Sequence, residues 1–374
     1  MLFKGKVFTG EKFEETAVRA ENGKILEISP ELSAKAGEEV VELGENLLVP
    51  GFIDLHTHGC IGYDFSTASK EEIDKMCAFY LSKGITSVAG TTMTMGYEDY
   101  KKAAVTIGEY MDSVENHSLI GINMEGPFLS VEKKGAHDPQ YIIDASQEKM
   151  DELNKLAGGH FLIVDIAPER PGTIDFIRKN SKDYVISVAH TPADYEKAME
   201  AFEAGATQVT HLFNAMNGLG HRDPGVPGAA FASGANVEMI CDGIHIHPTV
   251  MRMVYKMFKE RLLVISDSMS AAGLQDGEYV LGGLPVFVKE GKATLENGTI
   301  AGSTTDLLKE MGVWMDRCGM TMEEILPCMT INPAKAVHME ERIGSIAAGK
   351  AADLVVISRE REIQAVYKNG VRKV

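Results

Sequence analysis

From Pro50 onward the chain alternates continuous apolar runs with segments whose apolar residues recur three or four positions apart. Continuous runs mark strands covered on both faces, and their alternation with amphipathic helices is the pattern of a parallel sheet. Eight runs recur, at 52–56, 85–90, 118–124, 161–167, 184–190, 207–211, 237–241 and 261–267. Between the first two, KEEIDKMCAFYLSKG puts Ile73, Met76 and Tyr80 on one helical face and Gly84 at the stop. ADYEKAMEAFEAG behaves the same way and ends at Gly205. Eight strands are the number that closes a (β/α)8 barrel, a TIM-type α/β fold.

The ends follow a different rhythm. The first 50 residues are short β-like pieces, KGKVFTG, TAVRAENGKILEI and EVVELGENLLVP, and Asn22-Gly23 is a hairpin turn signal. The last residues match them, with ADLVVIS, IQAVYKNGVRKV and a second turn at Asn369-Gly370. The expectation is a small β-sandwich domain from 1–50 and 340–374, and a catalytic barrel over 51–339. After Asp267, GEYVLGGLPVFVKEGKATLENGTIAG reads as a β-rich insertion, followed by helices from 304 to about 338.

A net charge of −17 over 374 residues argues against nucleic acid or an anionic membrane surface as partner. The five cysteines form no CxxC pair and read as reduced thiols. MLFKGKVFTGEKFEE lacks the apolar stretch of a signal peptide, and no run approaches a membrane span, so a cytoplasmic protein is expected.

Candidate chemistry falls at the ends of the runs: His56 and His58 after the first, Glu125 after the third, His190 and His211 at the fifth and sixth, Asp267 at the eighth. A parallel barrel gathers these ends into one mouth. Residues two apart on a strand face the same side, so both imidazoles of His56-Thr57-His58 can point inward. Imidazole and carboxylate are the ligands of zinc and its relatives, and Glu/His/His plus an open position is a catalytic metal set. Asp267 is placed to accept a proton from water and return it to a leaving group. Arg222, in GLGHRDPGVPG, suits phosphate or carboxylate recognition.

PGFIDLHTHG, MEGPF, KKGAHDP, AHT, THLFNAM, HRDPG, DGIHIHP, SDSM, TIAGS, NPAK and GKAADLVV together resemble the amidohydrolase superfamily over essentially the whole chain. The likeness is to its branch that deacetylates amino-sugar phosphates. It implies hydrolysis of N-acetyl-D-glucosamine 6-phosphate to glucosamine 6-phosphate and acetate by a cytoplasmic homodimer. It implies Glu125, His190 and His211 as ligands of a divalent metal, zinc first, with iron, manganese or cobalt as alternatives. His56 and His58 match the ligands of a second ion in some members, so one or two ions per chain are expected. Asp267 matches the catalytic acid/base. Ala136, His137, Asn214, Ala215, Arg222, His245, Ala301 and Gly302 match positions that bind substrate, with Arg222 serving its own or the neighbouring subunit. Two other readings stay open: an amidohydrolase of different substrate, and a barrel kept as a binding protein.

Overall fold

The computed structural model describes all 374 residues. Its centre is an eight-stranded parallel sheet in sequence order. Barrel strands 1 to 8 are Phe52–Thr57, Ile85–Thr92, Leu119–Glu125, Phe161–Ile166, Val185–Val188, Gln208–Val209, Asn236–Ile240 and Leu262–Ile265. All eight apolar runs form strands. The sixth, with Thr210 and His211 beyond its end, is the shortest, at two residues. Closure comes from the backbone: the Asp267 N–H donates to the His56 carbonyl at 2.9 Å, and the His58 N–H to the Ser268 carbonyl at 2.8 Å.

The helix on Ile73, Met76 and Tyr80 spans Lys70–Ser82, starting with a capping box between Ser69 and Glu72. The helix Tyr195–Ala204 stops at Gly205, whose φ of 120° suits glycine. The outer ring of helices buries Met76, Tyr80, Ile107, Leu153, Phe176 and Trp314 against the strands.

Both chain ends enter one seven-stranded sheet around a core that includes Phe3, Val18, Leu48, Leu354 and Tyr367, forming the small β-sandwich. Strand Val40–Pro50 is central: it runs parallel to Leu2–Phe8 and antiparallel to Leu354–Ile357. Its register against the first strand jumps between Glu42 and Leu47, and a bulge of this kind bends a strand. Asn22-Gly23 and Asn369-Gly370 all have positive φ, as two-residue hairpin turns demand. The insertion after Asp267 is a separate three-stranded antiparallel sheet, Gly277–Leu281, Leu284–Lys289 and Lys292–Thr294. Helices Leu307–Cys318, Met322–Met329 and Ile331–Ala336 follow. No helix is long and apolar enough to cross a membrane.

One helix contact depends on a missing side chain. In helix Tyr97–Ser113, a Cβ on Gly108 would lie 2.6 Å from the carbonyl oxygen of Ala157, which caps helix Gln147–Leu156. Helix propensity alone favours alanine over glycine by about 1 kcal/mol. Overpacking costs about 1–3 kcal/mol. Gly108→Ala is therefore expected to lower stability in urea unfolding, against the propensity trend; a gain would show that these helices separate freely.

Candidate metal centre

His56 lies on strand 1 and His58 one residue past its end, and Glu125 ends strand 3. His190, His211 and Asp267 lie just beyond strands 5, 6 and 8, and their φ angles are 44°, 30° and 46°. Left-handed backbone is uncommon for these residue types and costs of order 1–3 kcal/mol where the fold imposes it. At each position the chain turns sharply out of its strand and leaves the side chain over the mouth.

The Glu125 carboxylate is the hub. Its Oε1 lies 2.9 Å from Nε2 of both His190 and His211, whose own nitrogens are 3.1 Å apart. Its Oε2 lies 3.1 Å from His58 Nε2 and 3.3 Å from His137 Nε2. His58 Nε2 is also 3.2 Å from Asp267 Oδ1, and His56 Nε2 stands 3.6 Å from both carboxylates. All these side chains are buried. Two overlapping groups have ligand atoms spaced to hold an ion: His56, His58 and Glu125, and Glu125, His137 and His190.

The hydrogen bonds test whether a cation fits. His190 Nδ1 lies 2.8 Å from the Lys133 carbonyl, which can only accept, so Nδ1 carries the proton. That leaves Nε2 as the nitrogen able to turn a lone pair to a metal, beside a carboxylate oxygen that can serve the same ion. Lone pairs held this close repel unless a positive charge lies among them. His56 Nε2, fully buried, has no hydrogen-bond partner. The donor set fits a divalent metal.

The field of the cluster is strong. Burial alone would push Asp267 up, but the hydrogen bond from His58 and the charges of His56 and His58 hold it below the usual range. Burial would also raise Glu125, and His137 and His56 hold it well below. Burial pushes His137 down to about 4, partly offset by Glu125, so its ring is neutral. His137 Nδ1 lies 2.8 Å from the Thr94 hydroxyl and accepts from the Thr94 backbone N–H at 3.4 Å; an accepting Nδ1 leaves the ring proton on Nε2, facing the site.

One cavity of about 320 Å³ holds most of the expected residues. His58, Glu125, His190, His211 and Asp267 line it, with Ala136, His137, Asn214, Ala215, His245 and Gly302. His56 lies beneath the floor, and Ala301 sits in the apolar cluster behind Gly302. Arg222 is outside this cavity, exposed, with Nη1 2.7 Å from His221 Nε2.

Residues 47–373 match the profile of the Amidohydrolase family. The chain belongs to that family. It is similar to the N-acetylglucosamine-6-phosphate deacetylase of Bacillus subtilis (strain 168), 35% identical with 91% of this chain and 88% of that protein aligned. The protein of the same description from Vibrio furnissii is 31% identical, over 98% of this chain and 92% of its own length. A mutant N-acetyl-D-glucosamine-6-phosphate deacetylase from Mycobacterium smegmatis, solved in complex with N-acetyl-D-glucosamine-6-phosphate, superposes with a TM-score of 0.93. It is 30% identical and covers 100% of this chain and 99% of its own.

This amidohydrolase also carries side chains around the site that the motifs did not single out. Met93, Ile240 and Leu281, outside the motifs, complete the cavity wall with Gly135, Phe213, Thr299 and Ile300, which the motifs contain. Below it, the barrel interior is polar. His56 Nδ1 lies 3.2 Å from Glu238 Oε2, and Gln208 Nε2 donates to Glu238 Oε1 at 2.7 Å. Thr210 donates to Asp165, and Ser266 to Asp54, which burial pushes up to about 7. Glu238 sits inside an apolar run, and the alternation that points it inward could have flagged it. Its carboxylate fixes the His56 proton on Nδ1 and turns Nε2 toward the cluster. Glu238→Leu would leave His56 and Gln208 without their acceptor, each loss costing about 1–3 kcal/mol. The expected result is a lower melting temperature; an unchanged one would show that these donors find other partners.

Proposed function

We propose that this amidohydrolase hydrolyses N-acetyl-D-glucosamine 6-phosphate to D-glucosamine 6-phosphate and acetate. The observation that carries the reading is the convergence on Glu125 of His58, His190 and His211 beside Asp267, in a cavity shared with Asn214, Ala215 and His245. The names of the relatives supply the substrate class. Glu125, His190 and His211 would hold one divalent ion, zinc first, and His56 with His58 a second. Iron, manganese or cobalt would suit the same donors. When bound, the ion supplies Lewis acidity, polarising the acetyl carbonyl and lowering the pKa of water.

Asp267 is the general base. Its carboxylate, 3.2 Å from His58 Nε2, takes the proton of the attacking water. Oxygen bonds to the acetyl carbon, and the neutral His137 donates its Nε2 proton in a hydrogen bond to the developing oxyanion. Asp267 then returns its proton to the leaving nitrogen, the C–N bond breaks, and acetate and the free amine separate. Asn214 and Ala215, after strand 6, and His245, on the CDGIHIHP loop, orient the sugar phosphate. His245 Nδ1 is fixed 2.8 Å from Asp242 Oδ2. Ala136, Gly302 and the neighbouring Ala301 close the pocket.

The remaining cation of the set, Arg222, reaches a phosphate in the partner's site of a cytoplasmic homodimer. Exposed Leu219, Phe231, Ile244 and Met253 on neighbouring segments support that face as the contact. The division into a β module of 1–50 with 340–374 and a catalytic barrel of 51–339 belongs to the same reading.

Asp267→Asn is expected to lower kcat about 10²- to 10⁴-fold, the usual worth of a general base. Metal per chain, by elemental analysis, should stay at the wild-type value; near-normal turnover would reject the role. Mixing inactive Asp267→Asn with Arg222→Ala protein should restore activity if Arg222 works across the dimer. Mixtures no more active than their parts would place Arg222 in its own subunit's site or in none. Assaying the unphosphorylated sugar and the galactosamine epimer in parallel tests the substrate.

A further inference from the structure

A second cavity, of about 650 Å³, adjoins the catalytic one, and Met93 lines both. Met93 follows strand 2 and is buried, with its backbone N–H donating to Ser66 Oγ at 3.0 Å. The rest of the partition is a hairpin turn of the insertion: Leu281 faces the catalytic cavity, and Val280, Gly282 and Gly283 face the outer one. Both glycines have positive φ, as a tight turn there requires. A Cβ on Gly282 would lie 3.2 Å from Met93 Cε, so the turn rests directly on the methionine side chain. One unbranched thioether and a glycine turn therefore separate the two spaces. Methionine is the apolar side chain that best adapts its shape.

Barrel geometry sets which part of the substrate meets this wall. Strands 2 and 6 are opposite one another in a barrel of eight. In the reading proposed above, on which this inference rests, the sugar phosphate is held at Asn214 and Ala215 beyond strand 6, and the amide lies over Glu125. The acyl group then points across the mouth, toward Met93. The wall there is apolar: Met93, Ala136, Leu281 and Ala301 share one buried cluster. The outer cavity presents Tyr63, Tyr141, Tyr279, Met95 and Val280, with Asp64, Glu72 and Asp99, and no lysine, arginine or histidine. That lining repels a phosphate and suits an uncharged chain.

We propose that Met93 sets the length of the acyl group this enzyme removes, and that the outer cavity is a subsite for longer, uncharged N-acyl chains. The reaction is the same hydrolysis. Water adds its oxygen to the acyl carbon, the C–N bond breaks, and the amine leaves with a longer carboxylic acid, so no further reactant is needed. Rotation of the Met93 side chain away from Gly282 joins the two spaces.

The test compares N-acetyl-, N-butanoyl- and N-hexanoyl-glucosamine 6-phosphate on the metal-loaded full chain. In Met93→Ala the ratio of kcat/KM for butanoyl over acetyl is expected to rise about tenfold or more, the scale of methylene discrimination in an apolar pocket. An unmoved ratio overturns the proposal. Val280 stands on the rim of the outer cavity and is 57% exposed, so Val280→Trp tests the subsite without burdening the core. It is expected to lower the hexanoyl-to-acetyl ratio in the otherwise unaltered enzyme; equal loss on both substrates also overturns the proposal. Wild-type protein that hydrolyses none of the three rejects the deacetylase reading itself, whereas acetyl hydrolysis with unmoved ratios in both variants rejects this proposal alone.

Discussion

Two backbone hydrogen bonds, from Asp267 to His56 and from His58 to Ser268, close the barrel, and the site depends on this seam. The residues that make the ladder also carry the functional side chains. Positions 211 residues apart, His56 and Asp267, meet because the first and eighth strands must pair to leave no open edge. Strand alternation then directs His56 and His58 inward together. Glu125 arrives from strand 3 to a point where four imidazoles lie within 3.3 Å of its oxygens. The cluster is thus a product of closure rather than of local sequence.

Most of the architecture could be read from patterning. The eight apolar runs form the eight strands, and the paired Asn-Gly turns mark hairpins at both ends. The shared position of histidines and acids at run ends was legible because barrel topology turns a one-dimensional position into a three-dimensional one. Other features could not be read in this way. The left-handed backbone at His190, His211 and Asp267 is imposed by tertiary packing, and nothing in those residue types announces it. His56 and His58 are equivalent in the motif, yet the pleat and the depth of the first strand put one beneath the floor and the other in the wall. Glu238 and Met93 carry no motif; their importance comes from what faces them across the barrel.

The polar barrel interior sets stability against orientation. A barrel core is ordinarily filled by branched apolar side chains. Here Asp54, Asn123, Asp165, Gln208, Thr210 and Glu238 occupy it without solvent contact. Burying three carboxylates is costly, and the protein offsets the cost with hydrogen bonds from Gln208, Thr210 and Ser266 and by raising Asp54 and Asp165 so that they shed charge. What this achieves is orientation: three of the five rings above are aimed by the far nitrogen, His56 by Glu238, His190 by the Lys133 carbonyl and His137 by Thr94.

The terminal sheet bears on how the protein is made. Strand Val40–Pro50 is synthesised long before one of its two neighbours, Leu354–Ile357, with the whole barrel between them. While the barrel is being made, the nascent chain therefore carries an apolar strand, LLVP at its end, with one unpaired edge. Such an edge invites pairing with other chains. Its protection during synthesis must come from outside the fold, from chaperones, or from a pace of elongation that outruns encounter with a second nascent copy.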